Sequence, residues 1–233
     1  MGKIRELAAK SSVLVKIVHS IRGRKSIKKI LEEKKKNNEL KIIIGASGTN
    51  QKDWISTERE TFDMLKPEKW LSVVEKHSIK YILAEHVFEH LTIEEGKKSI
   101  ETCLTFLKEG GNLRIAVPDA FHPSKQYREY SKPGGSGSGA SDHKEFYDYR
   151  KINKILSSFT DFIQIIFLEY YDENGKLHTK NIDKEKGLIE RTTNSKRILP
   201  GTNDIYSSLI VDIILKKKFE NIKHGLITEN DKQ

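Results

Sequence analysis

Near the N-terminus apolar residues follow a helical rhythm. Ile4, Leu7, Leu14, Ile17, Val18 and Ile21 recur at steps of three, four and seven, placing them along one stripe opposite Lys3, Lys10 and Lys16. This predicts a basic amphipathic helix broken near Gly23, then a short helix from Ser26 to Lys36 carrying Ile27, Ile30 and Leu31. From Leu40 the pattern changes to short apolar runs. Lys41 to Gly45 (KIIIG), Ile79 to Ala84 (IKYILA) and Leu113 to Val117 (LRIAV) are β-branched and do not alternate, as expected of strands covered on both faces. Between the last two lies a predicted helix. Thr92 and Glu95 have capping-box spacing, Ile93, Ile100, Cys103, Leu104 and Leu107 form its apolar stripe, and Gly110-Gly111 is expected to stop it. Strand, helix, strand with a right-handed crossover implies a parallel α/β sheet.

Further along, Pro133 to Ala140 (PGGSGSGA) has four glycines and no apolar anchor, so residues 133–141 are expected to form a mobile loop. His143 to Phe159 is predicted as a helix through Phe146, Tyr149, Ile152, Ile155 and Leu156. Phe162 to Leu168 and Ser207 to Leu215 are predicted late strands, separated by a turn-rich insertion over 172–204. The expected organisation is a basic helical extension (1–38), one folded domain (39–218) and a polar tail (219–233).

Composition narrows the class. Charged residues make up 32% of the 233 and apolar ones 36%, so a compact core lies under a heavily charged surface. Residues 1–36 hold 12 Lys and Arg against 3 Glu, a net of +9 that equals the formal charge of the whole chain. The folded part carries no basic excess, and no nucleic-acid partner is expected. The basic segment instead suits packing on the domain or peripheral contact with an anionic membrane. A single cysteine, Cys103, excludes an intramolecular disulfide and cysteine-rich zinc modules; on its helical stripe it reads as core filler. No run approaches the roughly 20 apolar residues of a membrane span. A cytoplasmic location is expected, with peripheral attachment to the inner membrane face as its variant.

Candidate chemistry clusters after the predicted strands. Gly45-Ala46-Ser47-Gly48-Thr49 follows the first one, and small residues there let a ligand approach the backbone. The turn lacks the GK[ST] of a phosphate loop, which disfavours ATP. Glu58 follows the strand-like Trp54-Ile55-Ser56-Thr57, the position at which an acid binds a ribose diol. The segment Glu85 to Leu91 (EHVFEHL) contains His86-Val87-Phe88-Glu89-His90, which matches the HxxEH zinc spacing. That motif works inside a long helix with a third ligand, whereas here only Phe88 to Leu91 precede the capping Thr92. The segment therefore reads as a pocket wall or helix start, no metal is expected, and a zinc hydrolase is the distant alternative. Asp119 ends the LRIAV strand and His122 follows. His143, flanked by Asp142, comes just after the glycine-rich loop, either as a base for an acceptor hydroxyl or as a surface group on a helix that Asp142 caps.

In order, GASGT after KIII, WISTE, EHVFEHL and FLKEGGNLRIAVPD resemble the class I S-adenosylmethionine-dependent methyltransferases. More narrowly, PGGSGSGASDHK, YYDENGKLH and YSSLIVD are similar to a bacterial group of predicted methyltransferases associated with surface-polysaccharide synthesis. The resemblance spans about residues 40 to 216. It implies a Rossmann-like methyltransferase sheet, mostly parallel. It places S-adenosyl-L-methionine over Gly45, Ala46, Ser47 and Gly48, its ribose on Glu58, and its adenine or methionine near Asp63, Glu85 and His86. The implied function is O-methylation of a sugar or glycolipid precursor, with His143, Asp119 and His122 as catalytic candidates. The rival is a non-catalytic Rossmann-like module that docks a membrane or protein partner. Two departures stand out. One glycine of the usual GxGxG is missing, and about ten residues between Gly45 and Ile55 are too few for a crossover helix. The first crossover is therefore expected to be vestigial, with the N-terminal helices covering the face it leaves open.

Overall fold

The computed structural model describes residues 21–219. The stripe from Ile4 to Val18 and the tail beyond Phe219 lie outside the described residues. Helix α1 occupies 21–35 and runs through Gly23 without a break. Gly23 faces the domain, where a Cβ would meet the Thr61 side chain at 3.2 Å. Ser26 and Ile30 follow on that same inward face, while Ile21 and Leu31 are exposed.

The sheet has seven strands: β1 (Leu40–Ile43), β2 (Ile55–Ser56), β3 (Ile79–Glu85), β4 (Leu107–Val117), β5 (Ile163–Tyr171), β6 (Leu177–Thr179) and β7 (Leu209–Leu215). Their spatial order is β2-β1-β3-β4-β7-β5-β6. The first four strands pair in parallel, and the pairings of β7 with β4, β7 with β5, and β5 with β6 are antiparallel. This is a mixed Rossmann-like sheet. Its order reverses at β1, with β2 on one side and β3 on the other, which makes the carboxyl ends of β1 and β3 the topological switch point.

Alternate residues of each strand face opposite ways and feed two cores. One contains Ile42, Ile82, Ile115 and Val211, together with Ile30 of α1, Trp70 of α2 (Pro67–Leu71), Cys103 and Leu104 of α3 (Ile93–Phe106), and Leu156 of α5 (Tyr149–Leu156). The other contains Ile43, Leu83, Ala116 and Ile210, covered by Trp54 and Ile189. All the helices of the first core therefore lie on one face. A β1-to-β2 crossover and a β3-to-β4 crossover move in opposite directions across the sheet, so right-handedness sends them over opposite faces. Trp54 shows the first crossover passing over the second face, and residues 44–54 contain no helix. Among the described residues the space is filled by 182–191; α1, the described part of the N-terminal helices expected to cover it, packs on the other face.

That cover is fastened by polar groups. Arg114 of β4 and Asp212 of β7 form a buried bidentate pair, Nε to Oδ1 at 2.7 Å and Nη2 to Oδ2 at 2.8 Å. The remaining guanidinium nitrogen donates to the carbonyls of Asp183 and Gly187 at 2.8 and 2.5 Å. Buried Glu169 accepts from Thr192 Oγ1 and from the Thr193 amide and hydroxyl. Gln51 exchanges two hydrogen bonds with the Leu188 backbone.

Further element boundaries differ from the sequence expectation. The helix capped by Thr92 has its full capping box but ends at Phe106, and Gly110-Gly111 lie inside β4. A Cβ on Gly111 would stand 2.8 Å from the carbonyls of Lys108 and Lys80, so Gly111 admits a close strand approach, while Gly110 supplies a left-handed φ of +72°. Helix α5 begins at Tyr149, capped by Asp148, because 143–147 runs extended and pairs elsewhere. Ala120 N bonds Tyr147 O, while Lys144 N and Glu145 N both bond Glu89 O. Two bonds to one carbonyl from successive amides hold the segment out of a helix.

Candidate functional site

The carboxyl edge of the parallel strands gathers most of the residues singled out from sequence. Gly45 adopts φ +59°, and a Cβ there would lie 3.0 Å from Val87 Cγ2 of the loop after β3. The turn therefore closes directly on the far side of the switch point. Ser47 is also left-handed (φ +47°), and Gly48 has φ +99° with nothing within 4 Å of a would-be Cβ. Ala46 N bonds Thr57 O, and Thr57 N bonds Ile43 O. These bonds hold Glu58, which is nearly buried, one residue beyond the turn's own partner. Its carboxylate has Arg22 of α1 at 3.4 Å.

Three further candidates have protein partners. Asp63 accepts from Leu65 N through its side chain and from Trp70 Nε1 through its carbonyl, which braces the turn leading into α2. Glu85 accepts from the amides of Glu190 and Arg191, each at 3.1 Å, and so holds the insertion. His86 is left-handed (φ +55°), a strained conformation for a residue with a side chain. Its Nε2 lies 3.1 Å from Ser208 Oγ, its Nδ1 lies 2.9 Å from Glu89 Oε1, and its ring meets the edge of Tyr206.

Asp119 and His122 sit deeper. The Asp119 carboxylate accepts from Phe121 N at 2.9 Å and Tyr171 N at 2.7 Å, tying β4 to the end of β5. Burial raises the carboxyl to about 7 against those two amides, with Asp148 and Glu169 adding to the rise. Burial likewise lowers His122 to about 4. Its ring stacks on Tyr127 at 3.9 Å, and Nδ1 accepts from Ser124 N. A group that far below neutrality is a weak base. Both residues also brace the loop leading into α4 (Lys125–Ser131), Asp119 through the two amides and His122 through Ser124 N.

The raised Asp119 carboxyl has a consequence for stability. Its folded pKa lies above its unfolded one, so between them the folded state holds the extra proton, and stability falls as pH rises. The melting temperature of the wild type minus that of Asp119→Asn should therefore decrease from about pH 5 to about pH 8. A constant difference over that range would count against a burial-raised carboxyl.

His143 lies apart from Asp119 and His122. Its Nδ1 lies 2.8 Å from Ser131 O at the end of α4, a contact that assigns the proton to Nδ1 and leaves Nε2 as a lone pair. The ring meets that of His90 edge-on, with centroids 4.8 Å apart. Asp142 caps no helix at His143; its Oδ2 lies 3.3 Å from His90 Nδ1. The glycine-rich segment before it folds back on α4 through Ser136 N to Glu129 O and Gly137 N to Tyr130 O. Gly135 and Gly137 have no room for a Cβ against those carbonyls.

Neither a protein-family model nor a curated protein matches the chain. Solved structures do. It is similar to a SAM-dependent methyltransferase from Archaeoglobus fulgidus, with 17% identity over 77% of this chain and 86% of that one, and a TM-score of 0.43. A SAM-dependent methyltransferase, possible histamine N-methyltransferase, from Thermotoga maritima has 10% identity, coverage of 88% and 96%, and a TM-score of 0.43. Magnesium protoporphyrin IX methyltransferase from Synechocystis, with bound SAH, has 10% identity, coverage of 84% and 83%, and a TM-score of 0.40.

Sequence reasoning assigned no role to Tyr127, Ser131, Tyr206 or Ser208, which line this edge. Ser208 and Tyr206 belong to the YSSLIVD segment, so a signal for them was present in the motif. Tyr127 carries no such mark: its hydroxyl donates to Ser207 O from a helix far away in sequence. Among the described residues, no helix is long and apolar enough to cross a membrane.

Proposed function

We propose that this chain is an S-adenosylmethionine-dependent methyltransferase. The observation that carries the reading is the meeting of the left-handed glycine turn after β1 with Val87 after β3, at the switch point where open α/β sheets bind their ligands. The ordered motifs from GASGT to RIAVPD supply the class. The cofactor fits the residues present. Gly48 leaves open space beside the turn, and Glu58 presents a nearly buried carboxylate at the end of β2 whose cationic partner among the described residues, Arg22, is half-exposed at 3.4 Å.

In this reading Gly45, Ala46, Ser47 and Gly48 cradle the cofactor and Glu58 accepts the two hydroxyls of its ribose. Glu85 and His86 form the wall between the cofactor and the insertion, and Asp63 fixes the turn beyond Glu58. The cofactor, when bound, supplies a sulfonium methyl group open to in-line displacement by an acceptor oxygen. His143 is the catalytic candidate that the geometry favours, because its Nε2 is a lone pair on a half-buried ring beside the glycine-rich segment. Asp119 and His122 hold the loops on which that segment is mounted. We assign the acceptor to the hydroxyl of a sugar or glycolipid precursor on the strength of the narrower motif resemblance.

Calorimetry with S-adenosylmethionine and S-adenosylhomocysteine tests the assignment. Both should bind and raise the melting temperature, since each stabilises only the folded state. Glu58→Ala should weaken binding by about 1–3 kcal/mol, the cost of leaving hydroxyl partners unpaired. Absence of binding by either compound to the wild type would reject the proposal.

A further inference from the structure

We propose that Glu89, His90 and His143 bind one divalent transition-metal ion, with Zn²⁺ preferred over Mg²⁺. One ligand atom from each residue lies within 4.8 Å of the other two. The HxxEH spacing in the sequence pairs His90 with His86, but the fold separates that pair. His86 turns its Nε2 to Ser208, and the second imidazole is supplied by His143.

The structure constructs this arrangement from both sides. Phe88–His90 forms a single 3-10 turn after β3, and the Glu89 carbonyl accepts the amides of Lys144 and Glu145, which brings His143 against His90. The bond from His143 Nδ1 to Ser131 O is the outer hydrogen bond that a ligating imidazole makes, and it turns the Nε2 lone pair free. Asp142 Oδ2 approaches His90 Nδ1 to 3.3 Å without forming a hydrogen bond.

A second observation points independently to a missing ligand. Glu89 is 1% exposed, yet among the described residues neither carboxylate oxygen has a hydrogen-bond partner; His86 Nδ1 lies 2.9 Å from Oε1 but off the hydrogen-bond direction. His90 Nδ1 is buried and likewise unpartnered by a hydrogen bond. A buried carboxylate with both oxygens unsatisfied is costly, and a bound cation removes that cost. Two imidazoles and a carboxylate form the donor set of a catalytic zinc site with its fourth position open. Mg²⁺ prefers an octahedron of oxygens and matches this set poorly.

The existence of the site does not depend on the methyltransferase reading, but its use does. An acceptor hydroxyl in the open position would lose its proton to solvent more readily. The resulting oxygen would form its bond to the methyl carbon as the carbon–sulfur bond breaks, with that electron pair passing to sulfur. His143 then serves as a ligand in place of a free base.

The test uses the tag-free full chain, stripped of metal, titrated with Zn²⁺ against a chromophoric chelator and separately with Mg²⁺. One Zn²⁺ per chain should bind and Mg²⁺ should not compete. His90→Ala and His143→Ala should each lose more than the roughly 10–100-fold that removal of an outer-shell partner costs. His178→Ala, on β6 and paired with Asp172, should bind as the wild type does. If either ligand variant fails to fold, the Co²⁺ spectrum of the wild type decides. Strong visible bands of a four- or five-coordinate ion support the site, and the weak spectrum of an octahedral aquo ion overturns it. Wild type that binds no Zn²⁺, or full affinity in folded His90→Ala and His143→Ala, also overturns it. Because no S-adenosylmethionine is present in these titrations, a failed metal site and a failed cofactor site give different results.

Discussion

Asp212→Ala should cost about 3–5 kcal/mol of folding stability, the usual result of stripping a buried charge of its partner. Arg114 is fully buried and its bidentate pair with Asp212 is its sole anionic contact among the described residues; only the Asp183 and Gly187 carbonyls would remain. Asn112 also donates to Asp212 Oδ1, at 3.0 Å, and would be left without that acceptor. For a chain of this size each kcal/mol corresponds to roughly 2–4 °C, so the melting temperature should fall by about 10 °C. Replacing both partners, Arg114→Leu with Asp212→Leu, should cost less than Asp212→Ala alone, because no uncompensated charge stays behind. Chemical denaturation of the single and double variants checks the ordering. An Asp212→Ala protein within about 1 kcal/mol of wild type would mean that the pair does not hold the 182–191 cover on the sheet.

Gly45→Val should abolish S-adenosylmethionine binding. A β-branched residue at φ +59° costs about 1–3 kcal/mol in backbone strain, and its Cβ would stand 3.0 Å from Val87 Cγ2, so the turn or the loop after β3 must move. On sequence grounds alone the new side chain would act by filling the cofactor's space. In the structure the damage starts at Val87, across the switch point, and reaches the cofactor by displacing the turn. Val87→Ala added to Gly45→Ala should therefore recover part of the binding lost in Gly45→Ala alone. Calorimetry well below each variant's melting temperature separates binding from unfolding. Undiminished binding in Gly45→Val would remove the cofactor from this turn.

Local rules in the sequence settled much of the fold. The β-branched runs became β1, β3 and β4 because burial on both faces selects such residues wherever the strands pair. Thr92 and Glu95 set the start of α3 through a capping box whose geometry needs only four consecutive residues. Shortness of the first crossover could be read from chain length alone. Boundaries governed by distant partners could not. The helix expected from His143 begins at Tyr149 because the Glu89 carbonyl holds two amides of the extended segment, a bond set by folding and not by spacing.

The site divides the same way. Glycine turn, Glu58 and EHVFEHL each follow a strand, so their place on the carboxyl edge was determined once the strands were known. Which side chains face one another there was decided by tertiary structure. Right-handed crossovers put α2 and α3 on one face, where α1 also packs, and left the other to residues 182–191, whose turn-rich sequence announces no such role. His143 reaches His90 across more than fifty residues, and His86, four residues from His90, turns away to Ser208. Periodicity governs neighbours within one element; contacts between loops follow from how the whole sheet is paired, and that is information no local pattern carries.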